Sequence, residues 1–270
     1  MQIAVVGCGW LGLPLALSLQ KSGHNIVATR RSEAGCKQLT SHGFNSVQFE
    51  LGNTYSQQQL APILDANLLI LNIPFSRKTS NNTEFSNNIQ TLLQQAKNSQ
   101  IANIIFISTT SVYGSQQSEL TENSLTAPNT LSGQANLEVE QLTQQYFGLQ
   151  ATVIRLAGLV GGTRHPINFL AGKTELSAAN QVVNLVHQAD VIQSIESVIN
   201  NNLWGHTFVL SAYEHPTRQA YYTWAAKRLG LVLPEFLEEQ SQSPGKTINA
   251  TASLKKLGVQ LRYPSPYDMF

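Results

Sequence analysis

Short apolar runs alternate with segments of helical spacing over most of the chain. Residues 3–6 form an apolar run that ends in a glycine, which is typical of a buried parallel strand. Runs of this kind predict seven strands, at residues 3–6, 25–29, 46–51, 68–73, 103–108, 151–156 and 206–210. The segments with helical spacing between them lie at residues 10–21, 33–41, 56–64, 83–98 and 131–146. Such alternation requires crossover connections, so the pattern predicts an α/β fold with a doubly wound parallel sheet covered by helices on both faces.

The pattern changes after residue 160. Residues 161–166 read Gly-Gly-Thr-Arg-His-Pro and form a loop by composition, and two more segments of helical spacing follow before a proline-containing tail. We therefore predict a main domain over residues 1–160, to which residues 187–212 return. A small, partly interleaved C-terminal lobe is expected over residues 161–270.

A glycine-rich turn follows the first predicted strand and reads Gly-Cys-Gly-Trp-Leu-Gly. Gly7 permits a tight turn, Gly9 lets a pyrophosphate approach the backbone, and Gly12 lets the next helix pack against the strand. The helix that begins here directs the free N–H groups of its first turn, including those of Trp10 and Leu11, toward bound phosphate. Because the motif stands between a strand and a helix, we predict a dinucleotide site in a Rossmann-type domain rather than three glycines in an ordinary turn.

The loop after the second predicted strand indicates which dinucleotide binds. NAD sites usually carry an acidic residue about 20 positions beyond the glycine-rich turn, whereas this chain has Arg30, Arg31 and Ser32 there and no carboxylate before Glu33. Guanidinium groups bind phosphate in bidentate geometry, so these residues predict a site for a 2′-phosphate. NADP(H) is the expected cofactor and NAD(H) the other candidate, while a solvated basic turn is the alternative interpretation of the arginines. The full set of predicted cofactor contacts is Gly7, Gly9, Trp10, Leu11, Gly12, Arg30, Arg31, Ser32, Pro74 and Ser108.

Three later stretches carry a family resemblance. Residues 108–114 read Ser-Thr-Thr-Ser-Val-Tyr-Gly, residues 155–161 read Arg-Leu-Ala-Gly-Leu-Val-Gly, and residues 184–191 contain the pattern His-x-x-Asp-Val. With the glycine-rich turn, they resemble the extended short-chain dehydrogenase/reductases of the NAD(P)-dependent epimerase/dehydratase type, nearly end to end. Gly-Trp-Leu-Gly and Arg-His-Pro also resemble the YeeZ-type branch, an atypical bacterial branch of that family. The resemblance implies a Rossmann-type sheet with a small C-terminal substrate lobe, and a homodimer formed through a helix pair that includes residues 131–146.

The catalytic pair of that family, Tyr-x-x-x-Lys, is missing at its expected place. In the family this pair opens the helix after the fifth strand, where the lysine lowers the pKa of the tyrosine and the phenol exchanges a proton with substrate. Here Ser132 and Asn136 stand at those positions, and no tyrosine of the chain has a lysine four residues later. A serine hydroxyl is a far weaker acid than a phenol, so the usual proton transfer is lost or replaced.

Four side chains are candidates for the chemistry, namely Thr109, Ser132, Tyr113 and His165. Thr109 matches the family position whose hydroxyl bonds the reacting carbonyl, although a hydroxyl there also caps a strand end. Tyr113 offers a phenol in place of the missing one, although the tyrosine of a Val-Tyr-Gly run is more often a packing residue. His165 and its neighbour Arg164 lie in a loop at the predicted ligand edge of the sheet, where a histidine suits proton transfer; the alternative is a loop histidine with ordinary hydrogen bonds.

Composition removes several classes of partner. A formal net charge of +1, with charged residues at 12%, does not indicate binding to nucleic acid or to a membrane surface. The two cysteines suggest a reducing compartment, and no apolar stretch is long enough to span a bilayer, so we expect a cytoplasmic protein. Histidines and cysteines lack the spacing of metal ligands, and no metal site is expected.

Two functions remain open. The first is an NADP(H)-dependent, epimerase/dehydratase-like oxidoreductase that acts on a small polar carbonyl compound or a nucleotide-sugar-type substrate, with Thr109 bonding the oxygen. The second is a non-catalytic NADP(H)-binding sensor or regulatory protein, which the loss of both Tyr and Lys favours. We expect the enzyme, because Thr109 is retained and because Arg164 and His165 stand in the loop that faces a substrate in such folds.

Overall fold

The computed structural model describes residues 1–75, 82–238 and 243–270. The strands are β1 (Gln2–Val6), β2 (Asn25–Arg30), β3 (Asn45–Gln48), β4 (Leu68–Leu71), β5 (Asn103–Thr109), β6 (Glu119–Leu120), β7 (Ala151–Leu156), β8 (Gly158–Val160), β9 (Leu185–His187), β10 (Thr207–Leu210) and β11 (Thr247–Ile248). The helices are α1 (Gly12–Lys21), α2 (Glu33–Ser41), α3 (Gln57–Leu64), α4 (Asn82–Lys97), α5 (Leu131–Phe147), α6 (Ile167–Leu170), α7 (Gln188–Asn200), α8 (Arg218–Arg228) and α9 (Thr251–Leu257).

Seven strands form one parallel sheet in the order β3-β2-β1-β4-β5-β7-β10. The chain winds outward from β1 to β3 and then returns to add β4 on the opposite side of β1. The strand order therefore reverses between β1 and β4, and in open parallel sheets the carboxyl ends of the strands at this point bind ligands. The predicted doubly wound parallel sheet is confirmed.

Helices cover both faces of the sheet because side chains alternate along each strand. In β1, Ile3 and Val5 belong to one buried cluster, together with apolar side chains of α1, α7 and α9. The intervening residues Ala4 and Val6 belong to a second cluster with α3, α4 and α5. Both faces of β1 are thus fully buried, which explains its continuous apolar sequence.

Two of the predicted strands end earlier than their apolar sequence suggested. The strand expected at residues 46–51 ends at Gln48, since Phe49 leaves the ladder after its N–H bonds the Arg30 carbonyl and its ring packs in the second cluster. The strand expected at 68–73 ends at Leu71 because Asn72 turns toward the glycine-rich turn. In both cases the apolar residues beyond the strand serve packing and not pairing.

The small lobe has a core of its own, built from the β8–β9 pair, α6 and α8 around Tyr221. Helix α7 and strand β10 belong to the main sheet and its covering layer. The segment that carries α9 also packs there, since Leu254 and Leu257 lie in the same cluster as Ile195. The segment from Leu254 to Leu261 thus covers the main sheet, whereas Tyr263, Tyr267 and Met269 pack in the core of the small lobe.

No helix in the described part of the chain combines the length and the apolar character that a membrane crossing requires.

Candidate functional site

The glycine-rich turn is locked between β2 and β4. Gly7 has φ of +95°, and a Cβ placed on it would lie 2.2 Å from the carbonyl oxygen of Asn72. Its N–H donates to Thr29 Oγ1 at 3.0 Å, and its carbonyl accepts from Asn72 Nδ2 at 2.9 Å. Position 7 must therefore be glycine for two reasons, backbone conformation and space. Thr29 and Asn72 were not predicted from the sequence, although each is a polar residue at the carboxyl end of a strand.

The two remaining glycines of the turn have opposite surroundings. A Cβ on Gly12 would lie 2.5 Å from the Gly7 carbonyl, so glycine here lets α1 pack directly on the strand. A Cβ on Gly9 would meet nothing within 4 Å. The first helical hydrogen bond runs from Leu13 N–H to the Gly9 carbonyl, and no side chain caps the helix at Leu11. The open space above Gly9 thus faces an uncapped helix N-terminus, which is a favourable place for an anion.

Arg30 lies beside this turn. Its Nε is buried and has no hydrogen-bond partner. A buried guanidinium nitrogen without an acceptor is costly, so this atom calls for one that the protein itself does not supply. Arg31 is exposed, and the Ser32 hydroxyl caps α2 by accepting from Gly35 N–H at 3.2 Å, which leaves the hydroxyl proton free to donate. The three residues predicted to hold a 2′-phosphate therefore form one basic corner at the end of β2, in which Arg30 is half-buried and Arg31 and Ser32 are exposed.

Cys8 is inert in this setting. Its side chain is fully buried, and burial raises the pKa of the thiol to about 12, although the charge of Arg30 acts in the opposite direction. The backbone N–H of Cys8 donates to the Thr29 carbonyl at 3.1 Å, which places the turn next to the end of β2 that carries Arg30. Cys8 and Cys36 are both free thiols.

The predicted cofactor contact of Ser108 is not supported at the level of its side chain. Ser108 is buried, and its hydroxyl donates to Glu140 Oε1 at 2.5 Å. The hydroxyl therefore points into the protein, between β5 and α5, and away from the ligand edge. Pro74, by contrast, is exposed just beyond the end of β4, beside the turn that contains Asn72.

A buried ion pair lies behind the carboxyl end of β5. Arg155 Nη2 and Glu140 Oε2 are 2.7 Å apart, and Arg155 Nε donates to both carboxylate oxygens at 3.1 and 3.2 Å. Ser108 adds its hydrogen bond to the same carboxylate. Each charge is compensated in place, as buried ions require, and the pair fixes α5 against β7 and β5. This network was not predicted from the sequence.

Tyr113 belongs to the same network, and this contradicts its predicted role as proton donor. Its ring is fully buried, its hydroxyl donates to the Thr121 carbonyl at 2.7 Å, and it accepts from Arg155 Nη1 at 2.9 Å. Burial raises the pKa of the phenol, although Arg155 acts to lower it. The phenol has no path to a substrate, so the packing interpretation of this tyrosine is correct.

Hydroxyl groups gather at the end of β5. Thr109 is half-buried; its hydroxyl donates to Ser111 Oγ at 3.1 Å and accepts from Ser111 N–H at 3.2 Å. The first turn of α5 packs against this segment, since a Cβ on Gly133 would lie 2.6 Å from the Ser111 carbonyl. Ser132, next to Gly133, is half-buried as well. The fold thus packs the segment that carries Ser132 against the one that carries Thr109, and it adds Ser111, which sequence reasoning missed.

Asn136, at the position of the family's lysine, is used for local structure. Its Nδ2 donates to the backbone carbonyl of Ser132 at 2.7 Å. This contact is an ordinary bond between a side chain and the preceding turn of the helix, and it brings no charge to the Ser132 hydroxyl.

A lysine approaches the same loop from a distant part of the sequence. Lys246 lies immediately before β11, which pairs with β6, and its Nζ donates to the carbonyls of Thr110 and Gly114, each at 3.0 Å. Burial lowers the pKa of its ammonium group. Lys246 therefore closes the end of the short 3₁₀ turn that follows Thr109. No spacing in the sequence connects it with this loop.

His165 lies in the core of the small lobe, which contradicts its predicted place in a substrate-facing loop. It is 6% exposed, its Nδ1 accepts from Ile167 N–H at 3.1 Å, and its Nε2 lies 2.7 Å from the Tyr221 hydroxyl. That hydroxyl in turn donates to the Pro266 carbonyl at 3.2 Å. Both ring nitrogens are occupied, so the interpretation as a histidine with ordinary hydrogen bonds is correct.

The burial of His165 predicts a pH dependence of stability. Burial lowers its pKa to about 4, so between about pH 6.5 and pH 4 the unfolded chain holds a proton on this residue that the folded chain does not. Its contribution to the free energy of unfolding therefore falls as the pH falls through this window, by at most about 1.4 kcal/mol per pH unit. Urea unfolding of the His165→Gln variant is expected to show a flatter dependence on pH than the unmodified chain. Parallel curves for the two proteins would contradict this assignment.

Comparisons with known proteins agree with this geometry. Residues 3–211 match the family described as NAD dependent epimerase/dehydratase family. The chain belongs to the NAD-dependent epimerase/dehydratase family. It is 34% identical to Protein YeeZ of Escherichia coli (strain K12) over 270 residues, which cover 99% of this chain and 98% of that protein.

Solved structures of two 4-epimerases share the fold. The UDP-glucuronic acid 4-epimerase from Bacillus cereus in complex with NAD superposes with a TM-score of 0.79 at 19% identity, covering 100% of this chain and 96% of that one. The UDP-N-acetylglucosamine 4-epimerase from the same organism superposes with a TM-score of 0.76 at 17% identity, covering 97% and 94%. At these identities the likeness concerns the fold, and the site must be argued from this chain's own residues.

Proposed function

We propose that the chain binds NADP(H) at the glycine-rich turn and acts as an oxidoreductase of the epimerase/dehydratase type on a small polar carbonyl compound or a nucleotide-sugar-type substrate. One observation carries the cofactor part of this proposal. The space above Gly9 is open, and it lies against the uncapped N-terminus of α1 at the point where the strand order reverses. The backbone N–H groups at this helix N-terminus would bind the pyrophosphate.

The residues beside the turn favour NADP(H) over NAD(H). The backbone N–H groups of Trp10 and Leu11 would hold the pyrophosphate, and the corner of Arg30, Arg31 and Ser32 would hold the 2′-phosphate. Arg31 and Ser32 are exposed beside Arg30, so their N–H and O–H groups would donate to phosphate oxygens. No acidic residue stands at the end of β2 to bond a free ribose hydroxyl.

Thr109, Ser111 and Ser132 are the groups that would handle the substrate oxygen. When bound, NADP(H) supplies hydride transfer to or from a carbon atom of the substrate. The Thr109 hydroxyl, which now donates to Ser111, would turn its hydrogen bond to the substrate oxygen. Ser132 would deliver the proton by way of water, because the phenol of Tyr113 and the ring of His165 are both buried and hydrogen-bonded within the protein.

Replacing both Arg30 and Arg31 with alanine is expected to weaken NADPH binding by roughly 10- to 100-fold and to leave NADH binding unchanged. The reason is that the two guanidinium groups contact the 2′-phosphate, which NADH lacks. Calorimetric titration of the double variant with both nucleotides measures this. The matched control is Lys37→Ala, because Lys37 is a basic residue of the adjacent helix that is 75% exposed and paired with Glu33. An unchanged ratio of the two dissociation constants in the double variant would remove the arginines from the site.

A second function is an NADP(H)-binding sensor without turnover. It is favoured because the side chains considered for proton transfer make structural hydrogen bonds instead. Asn136 serves the backbone of Ser132, and the phenol and imidazole candidates are both enclosed in structural networks. Two readouts over a panel of aldehydes, ketoses and nucleotide sugars separate the two functions. One is oxidation of bound NADPH, and the other is conversion of the substrate in the presence of NADP⁺, since epimerisation and dehydration return the cofactor to its starting oxidation state. Turnover that Thr109→Val abolishes while NADPH binding persists supports the enzyme. Tight NADPH binding, with neither oxidation of the cofactor nor conversion of any member of the panel, supports the sensor.

A further inference from the structure

An arginine of the small lobe lies over the glycine-rich turn. The guanidinium carbon of Arg164 is 5.0 Å from the centre of the Trp10 ring. Arg164 is exposed and Trp10 is half-buried. Trp10 directly follows Gly9, whose Cβ direction is open. A positive charge from the small lobe is thus held against a residue of the glycine-rich turn.

Both partners of this contact are held by backbone interactions. Gly161 and Arg164 exchange two backbone hydrogen bonds, at 3.1 and 3.0 Å, which closes a tight turn whose Gly162 has φ of +53°. On the other side, Gln188 Nε2 donates to the Trp10 carbonyl at 2.7 Å and ties the glycine-rich turn to the start of α7. The stacking of Arg164 on Trp10 therefore joins two fixed segments.

The charge of Arg164 is available to a ligand. In the part of the chain that the structure describes, the ion pairs are Lys37 with Glu33 and Arg155 with Glu140, and neither includes Arg164. An arginine that stacks on an aromatic ring keeps its N–H groups in the plane of the guanidinium, free to donate to phosphate oxygens. Trp10 lies two residues before Gly12, where α1 begins. The uncapped N-terminus of this helix would bind an anion.

We propose that Arg164 is a ligand of the dinucleotide pyrophosphate, held in place by Trp10, and that the small lobe thereby takes part in cofactor binding. This inference rests on the proposed function, since it requires a dinucleotide at the turn. It differs from the role of Arg30 and Arg31 in a measurable way. The pyrophosphate is common to NADPH, NADH and ADP-ribose, so the loss of Arg164 weakens all three by the same factor, whereas the loss of the other two arginines weakens NADPH alone.

The test is calorimetric titration of the full-length Arg164→Ala variant with NADPH, NADH and ADP-ribose. We expect each dissociation constant to rise roughly 10-fold, the effect of one charge-assisted contact to phosphate, and to rise less at high salt. The matched control is Arg228→Ala, because Arg228 is an exposed arginine that stacks on Trp224 at 5.6 Å within the small lobe. Its removal is expected to leave all three constants unchanged. Trp10→Leu should weaken binding as well, and combining it with Arg164→Ala should add little, because the two residues act together.

The outcomes separate this inference from the proposal on which it rests. If the unmodified chain binds the dinucleotides and Arg164→Ala binds them equally well, Arg164 is not a ligand and the cofactor site still stands. If Arg164→Ala weakens NADPH but not NADH or ADP-ribose, the arginine belongs to the 2′-phosphate corner and the pyrophosphate assignment is wrong. If the unmodified chain binds none of the three, the proposed function and this inference fall together.

Discussion

Replacing Glu140 with alanine is expected to lower the free energy of unfolding by about 3–5 kcal/mol. The carboxylate is 7% exposed at the level of its side chain and accepts hydrogen bonds from Arg155 and from Ser108. Its removal leaves the guanidinium of Arg155, itself 9% exposed, buried without a counter-charge, although Tyr113 retains its hydrogen bond to Arg155. Urea unfolding followed by circular dichroism measures the loss.

The matched control for this prediction is Glu33→Ala. Glu33 and Lys37 also form an ion pair, at 2.8 Å, but both side chains are 75% exposed. Solvent screens such a pair, so its loss is expected to change stability by no more than about 0.5 kcal/mol. Equal and small losses in the two variants would show that the network behind β5 does not hold α5 in place.

Replacing Gly9 with valine is expected to abolish dinucleotide binding without destabilising the fold. A Cβ at this position meets nothing within 4 Å, and the backbone of Gly9 is not in the left-handed region, so stability should change by no more than about 0.5 kcal/mol. The added side chain fills the space above the N-terminus of α1 that the pyrophosphate would occupy. We expect NADPH affinity to fall more than roughly 100-fold, the loss of about two charge-assisted hydrogen bonds.

Gly7→Ala serves as the contrasting variant. At Gly7 the backbone has φ of +95° and a Cβ would lie 2.2 Å from the Asn72 carbonyl, so the expected loss is in stability, at least about 1–2 kcal/mol. Thermal unfolding and NADPH titration of both variants separate the two roles. A Gly9→Val protein that still binds NADPH with unchanged affinity would show that the pyrophosphate does not lie at this turn.

The fold was predictable because its signal is local. Continuous apolar runs such as that of β4 arise where both faces of a strand are buried, and the helices between them have regular spacing. The strand ends were less predictable, because Phe49 and Ile73 are apolar for packing reasons that lie outside the sheet. The place of α9 against α7 was not predictable, since it depends on contacts between segments that are far apart in the sequence.

The glycine-rich turn was predictable because its residue spacing sets its backbone conformation. Gly7, Gly9 and Gly12 lie where their spacing placed them, and Arg30 lies beside them with an unpartnered nitrogen. Candidates chosen by residue type alone had no such support. Tyr113 and His165 are reactive side chains in principle, but the partners that enclose them, Arg155 and Tyr221, are 42 and 56 residues away in the sequence. Lys246 was missed for the same reason, because it donates to the Thr110 carbonyl, which lies 136 residues away in the sequence.

The central claim is that the glycine-rich turn binds NADP(H), and parallel calorimetric titrations of the unmodified chain with NADPH and NADH test it most directly. The account predicts one NADPH bound per chain, with an affinity at least roughly 10-fold higher than that for NADH. Absence of binding by either nucleotide, or a clear preference for NADH, would contradict it.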